Sequence, residues 1–154
     1  MSVDREISLG ILTNRNKFSD LFNDFMIEFD YSNNNFNFLS LKVNDLDNFD
    51  YVNYKNFKDL KPILDERENK EYSNYVSFFI DCLNERFLIS STKIEDTYEG
   101  FSSHFEIKIN LGVGKRIENA NQYTDYGFYL NNILPRLLRL NCYVIEVICR
   151  DLNN

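Results

Sequence analysis

Five apolar side chains, Phe18, Leu21, Phe22, Phe25 and Met26, recur at the i, i+3, i+4, i+7, i+8 spacing that lines one side of an α-helix. Asn14 or Asn16 is placed to cap that helix, and Asp20 and Asp24 suit its early turns. Before it, Ile7 to Leu12 reads as a short strand, and after the turn signal Asn33-Asn-Asn a second strand follows over Phe36 to Val43. The apolar positions change parity between Phe38 and Leu39, as at a bulge or a doubly buried strand. Phe57, Leu60 and Leu64 mark the inner side of a helix over Phe57 to Lys70; Pro62 removes a backbone donor there, so the regular part is expected to start at that residue.

The segment from Tyr75 to Leu111 has the pattern of a three-stranded meander. Its clearest part is Phe105, Ile107, Ile109 and Leu111 alternating with Glu106, Lys108 and Asn110, which requires one buried and one wet face. A polar loop separates this from a helical stripe of Leu130, Ile133, Leu134, Leu137 and Leu138, kinked or started at Pro135. Tyr143 to Cys149 is apolar except for Glu146, the mark of a strand covered on both faces. The order of elements predicts one α+β domain over residues 1–154: a mixed or mainly antiparallel sheet of about five to six strands with about three helices packed on it.

Composition narrows the classes of function. With 154 residues the chain is long enough for one independent core. No stretch reaches the roughly 18 apolar residues of a membrane span, and the N-terminal Met1-Ser-Val-Asp-Arg-Glu has no signal-peptide character, so the expected compartment is the cytoplasm. Cys82, Cys142 and Cys149 are odd in number and form no CxxC pair, which fits small core residues in a reducing compartment. A net charge of -7 disfavours direct binding of nucleic acid. The charge is uneven, net -5 over residues 1–50, net -3 over 51–100 and net +1 over 101–154. The 10 Tyr, 14 Phe and 22 Asn reflect AT-rich coding as readily as an adaptable polar-aromatic surface.

Four segments carry candidate chemistry. His104 falls on the polar face of its strand beside Glu106 and Lys108, and with one His and no paired Cys no metal site is expected. Leu111-Gly-Val-Gly-Lys-Arg resembles the pyrophosphate loop of GNAT-type acetyltransferases in having a strand and then Gly-x-Gly-basic, but that family's full pattern is absent and the next helix starts late. Asp45-Leu-Asp-Asn-Phe-Asp has Phe49 and Asp50 where an EF-hand loop needs an oxygen ligand and a glycine. Glu95-Asp96 and Glu99 form a second acidic group, expected in a loop between strands.

The stretch 45–59 reads best as a binding surface. There Asp45, Asp47, Asp50 and Asp59 alternate with Phe49, Tyr51, Tyr54 and Phe57, carboxylates to steer a basic partner and rings to anchor it. Small size, acidity, abundant Tyr, Asn and Asp, and the lack of a catalytic constellation together resemble the immunity proteins of bacterial toxin systems. That resemblance implies a non-enzymatic inhibitor, without cofactor, which occludes the active site of a basic toxin domain such as a nuclease. Two alternatives stand beside it: a small transferase or hydrolase using His104 and the Gly112–Arg116 turn, and an acidic mimic of nucleic acid that inhibits a defence nuclease.

Overall fold

The first strand, β1 (Val3–Thr13), is longer than its apolar run suggests, because it is paired along both edges. The structure is a computed structural model and is described for residues 3–29, 39–42, 51–68, 74–80, 83, 85–112 and 114–153. After β1 come α1 (Phe18–Glu28), β2 (Leu39–Lys42), β3 (Tyr51–Tyr54), α2 (Phe57–Glu68), β4 (Asn74–Ile80), β5 (Glu85–Ile94) and β6 (Ser103–Asn110). A small hairpin, β7 (Arg116–Ile117) and β8 (Ala120–Thr124), leads into α3 (Tyr126–Arg139) and β9 (Tyr143–Asn153).

Seven strands form one sheet in the order β3-β2-β4-β5-β6-β1-β9, and every pairing in it is antiparallel. The α+β class and the meander β4-β5-β6 are as the pattern predicts; the sheet has more strands than expected. The additional ones are β3, within a stretch expected to be irregular, and the separate β7-β8 ribbon, within the expected polar loop. Both are short, and β7-β8 turns through Asn119 at positive φ, a conformation that asparagine tolerates without giving a glycine signal.

Directly paired residues of an antiparallel sheet share a face. Ile7, Leu9 and Ile11 of β1 lie opposite Ile109, Ile107 and Phe105 of β6, and Val76 and Phe78 of β4 lie opposite Ile89 and Phe87 of β5. This face is buried and joins Phe18, Leu21, Phe22, Phe25 and Met26 of α1, Leu60 and Leu64 of α2, and Tyr129, Ile133 and Leu137 of α3 in one core. Phe78 sits at its centre, with edge-on ring contacts to Phe22 at 5.3 Å, Phe25 at 6.2 Å and Phe87 at 6.4 Å. Such geometries add a fraction of a kcal/mol or more per pair beyond the area buried, about 0.5–1.5 kcal/mol.

The helices differ from expectation in detail. Asn56 caps α2 by accepting from the Asp59 N–H at 3.0 Å, so the helix starts at Phe57 and carries Pro62 inside it. Asp125 caps α3 through the Phe128 N–H, and Pro135 lies within that helix. The inward stripe of α3 is Tyr129, Ile133 and Leu137, one helical turn apart, and Leu138 points outward at 71% exposure. The largest correction concerns β9. It is the edge strand of the sheet, with Tyr143, Ile145 and Val147 exposed, and its apolar run reflects a bulge opposite Gly10/Ile11 in place of cover on both faces. Cys142 is buried, Cys149 is partly buried, burial pushes both thiols up, and Cys82 lies outside the described residues.

Two polar clusters lock the last helix and strand in place. The buried Tyr129 hydroxyl donates to Glu85 and accepts from the Lys115 N–H at 2.6 Å. Asp151 accepts from the Thr124 hydroxyl at 2.6 Å, the Thr124 N–H at 3.0 Å and the Tyr126 hydroxyl at 2.9 Å. Burial pushes the Asp151 carboxyl up, but these bonds and the Arg116 charge outweigh it and hold the group below the usual carboxylate range. A depressed folded-state value adds stability above the unfolded value, near pH 4, that is lost as pH falls through the folded one. Asp151→Asn should therefore cost about 1 kcal/mol at neutral pH and progressively less in acid, which urea melts of both proteins across pH 2 to 7 would measure.

Candidate functional site

Among the described residues, the three helices lie against one face of the sheet and no helix lies on the other. Its side chains follow from the register. Across β5, β6, β1 and β9 the rows are Ile94, His104, Leu12 and Tyr143; then Thr92, Glu106, Gly10 and Glu146; then Ser90, Lys108, Ser8 and Ile148.

The connection from β5 to β6 folds back over one corner of this face. Phe101 donates its N–H to the Tyr98 carbonyl at 3.2 Å, closing a four-residue turn in which Gly100 has φ of 87°, a conformation costly for any residue with a Cβ. The Ser102 N–H donates to Asn14 Oδ1 at 2.9 Å and ties the loop to the end of β1. The loop sets the Tyr98 ring edge-on to the His104 imidazole, with centroids 5.5 Å apart and planes at 87°. It also stacks Phe101 on Tyr143, at 6.3 Å and 19°. Leu12, between His104 and Tyr143 in its row, is buried although it lies on the open face.

Gly10 shapes the floor of this corner. A Cβ there would stand 3.3 Å from Glu146 Cβ, 3.3 Å from Ile145 Cγ1 and 3.6 Å from His104 Nε2. The bulge of β9 turns Ile145 and Glu146 toward this gap, and only the absence of a side chain lets imidazole, isoleucine and glutamate converge on it. Tyr98, Tyr143 and Ile145 remain 42%, 59% and 38% exposed, so the corner presents apolar surface to solvent.

Negative charge surrounds these rings. Glu95, Asp96 and Glu99 are exposed on the loop, and Glu106 and Glu146 flank Gly10 on the sheet. Lys108 pairs with Glu106 at 3.6 Å, and Lys93, which borders the loop cleft, donates to the Asn16 carbonyl at 2.9 Å. Beneath the loop lies a cleft of ≈ 400 Å³ bordered by Glu95, Asp96, Tyr98, Phe101, Ser103 and His104, among others. By contrast, the void between α1 and the sheet is ≈ 20 Å³, wholly apolar, and fits no polar ligand. Among the described residues, no three His, Cys, Asp or Glu side chains converge as metal ligands.

The described residues among those expected to form the partner surface lie away from this corner. Asp45, Asp47, Phe49 and Asp50 fall outside the described residues. Tyr51 belongs to β3, at the edge of the sheet opposite β9 and roughly 20 Å from β6 by strand spacing. Tyr54 and Phe57 pack partly against the core, with Phe57 6.3 Å from the Phe22 ring, and Asp59 is exposed in the first turn of α2.

The pairing of His104 with the Gly112–Arg116 turn fails on geometry. They stand at opposite ends of β6, about 25 Å apart along an extended strand. The turn is also engaged: Arg5 donates to the Gly112 carbonyl at 2.7 Å, the Lys115 N–H is held by Tyr129, and the Lys115 ammonium rests 4.1 Å from the Phe128 ring centroid.

Sequence reasoning found His104, Glu95, Asp96 and Glu99 but left them as separate features, and it missed Gly10, Tyr98, Phe101, Tyr143, Ile145 and Glu146 as members of one site. The available signals were the Glu-Gly-Phe turn at 99–101 and a glycine between Leu9 and Ile11 of β1. Set against models of known families, curated proteins and solved structures, the chain matches none.

Gly10→Val should cost about 1–3 kcal/mol, because the branched side chain must displace β9 side chains across the bulge. It should also move the His104 ring resonances in an NMR spectrum, whereas Gly100→Ala should lower stability with a smaller effect on that ring.

Proposed function

We propose that the chain is a stoichiometric protein inhibitor of the immunity type, which covers a basic cleft on another protein with the open face of its sheet. The observation that carries this reading is the coincidence, at one uncovered corner, of exposed Tyr98, Tyr143 and Ile145 with the carboxylates of Glu95, Asp96, Glu99, Glu106 and Glu146. Isolated exposed apolar residues need no explanation, but a contiguous group rimmed mainly by carboxylates has the anatomy of an interface. The rings supply desolvated anchors and the carboxylates steer a positively charged partner to them. Fixed loop and sheet geometry lowers the ordering cost of binding. The acidic stretch around Asp45, Asp47 and Asp50 adds to the net negative charge and contributes to steering at long range.

Affinity capture from native extract should retain one basic protein at a one-to-one ratio. With that partner in hand, Glu106→Lys plus Glu146→Lys should slow association about tenfold at low salt and flatten its salt dependence. Tyr143→Ala should leave association nearly unchanged and speed dissociation at least about tenfold. Lysine at Asp45, Asp47 and Asp50 should reduce association without changing dissociation. Stopped-flow or surface-based kinetics would measure all three, and unchanged kinetics in the Glu106/Glu146 and Tyr143 variants would remove the open face from the interface.

A further inference from the structure

We propose that β9 is a docking edge for a second copy of this chain. Two β9 strands pair antiparallel about a two-fold axis at Ile148 and join two seven-stranded sheets into one. This goes beyond the inhibitor reading, and neither depends on the other.

The two edges of the sheet differ. β3 has four residues, whereas β9 has eleven, contains no Pro or Lys and carries exposed Tyr143, Ile145 and Val147. An edge of that length and character is open to pairing with another chain unless something blocks it. The direction of its backbone groups follows from one bond. The Arg5 carbonyl accepts from the Leu111 N–H at 3.0 Å, so Arg5, Ile7 and Leu9 turn their backbone groups to β6. Glu6, Ser8 and Gly10 then turn theirs to β9, where they meet Arg150, Ile148 and Glu146. Between these, the N–H and C=O groups of Val147 and Cys149 point out of the sheet. The bulge at Ile145 bounds this stretch on one side, and Asp151, held by Thr124 and Tyr126, bounds it on the other.

Charge selects the occupant and the register. Outward groups must meet outward groups, so the axis of two antiparallel β9 strands passes through a residue and never between two. An axis at Glu146 or at Arg150 sets like charges face to face, and one at Val147 or at Cys149 opposes Ile148 to a charge. With the axis at Ile148, the midpoint of the strand, Glu146 lies opposite Arg150 of the second copy, and this happens twice. Val147 then lies opposite Cys149 of the second copy and exchanges both backbone bonds with it, and Ile148 meets Ile148. Glu146 and Arg150 are exposed, and neither makes an ion pair among the described residues. Each Arg150 would end the acidic row of Glu106, Gly10 and Glu146 on the other copy.

Beneath the sheet, α3 favours the same partner. Arg136 and Arg139 reach Glu28 at the end of α1, so the opposite flank of α3 turns away from α1, on the side where the helix packs on β9. That flank carries Leu130, Leu134 and Leu138 one turn apart, the first two partly buried and the last exposed. The stripe is additional to Tyr129, Ile133 and Leu137 in the core, and the two-fold axis brings the second copy's α3 beside it.

The test uses the whole chain alone. Sedimentation equilibrium should show monomer and dimer exchanging with a dissociation constant of roughly 10 μM, as a small interface provides. Glu146→Arg alone and Arg150→Glu alone should each raise that constant at least about tenfold, because like charges then oppose each other twice. Mixed in equal amounts, the two variants should pair with each other about as tightly as the unaltered chain, since each reversed charge then meets its opposite. Hydrogen exchange on the unaltered chain, which needs no variant to fold, locates the contact. The Val147 and Cys149 amides should gain protection as concentration rises, while those of Ile148 and Arg150, bonded to β1, are protected throughout. A chain that stays monomeric up to roughly 1 mM overturns the proposal. So does a dimer that leaves the Val147 and Cys149 amides exposed, or one that charge reversal weakens and the mixture fails to restore. Protection of these amides only on addition of a foreign protein would give the edge to another chain's strand and overturn it likewise.

Discussion

Burial of a single face of a seven-stranded sheet is the constraint on which the rest depends. Phe78, Phe87, Phe105, Ile7, Leu9 and Ile11 project to one side, and three helices are needed to cover them. Each of the three helices buries its one apolar side against this layer, so none of them covers the other side. An asymmetric sandwich follows, with a dense aromatic core beneath the sheet and a solvated surface above it. The antiparallel register then fixes which side chains stand together on that surface.

On the open side the same constraint acts in reverse. Side chains there lie outside the apolar core and are small or charged over most of the area, with Ser8, Gly10 and Ser90 buried between the longer Thr92, Glu106 and Lys108 side chains and their neighbours. The aromatic corner departs from this pattern. A loop pinned by Ser102 on Asn14 and bent at Gly100 brings Tyr98 and Phe101 onto His104 and Tyr143, and the β9 bulge adds Ile145 and Glu146. Apolar rings held in place at the surface contribute little to the fold that smaller residues would not. On the proposed reading their arrangement serves binding, and the surrounding carboxylates give that surface a sign.

Polar anchoring at the other end makes this geometry rigid. Asp151 joins Thr124 and Tyr126 to β9, and Tyr129 joins Glu85 of β5 to the turn before β7. The glycine turn that resembles a phosphate loop serves here as a mortise for Arg5 and Tyr129. Its glycines and cations are explained by local packing, which is why motif likeness alone gave a misleading picture of it.

Strong periodicity made much of the fold legible in the amino-acid order. The stripe Phe18 to Met26 specified α1, and the alternation through Phe105 to Ile109 specified β6 and its two unlike faces, because burial of one side of an element imposes its period on the residues themselves. The acidic balance and the lack of paired cysteines were equally direct. Short elements escaped, since β3 and the β7-β8 ribbon contain too few residues to show a period. The edge position of β9 escaped because a bulge and a doubly covered strand leave similar apolar runs. The site belongs to the tertiary structure alone: Gly10, Tyr98, His104 and Tyr143 are scattered over more than a hundred positions, and nothing local records that strand order and one loop set them side by side. Periodic burial is written residue by residue, whereas adjacency across a sheet is decided by which strands pair and in what register.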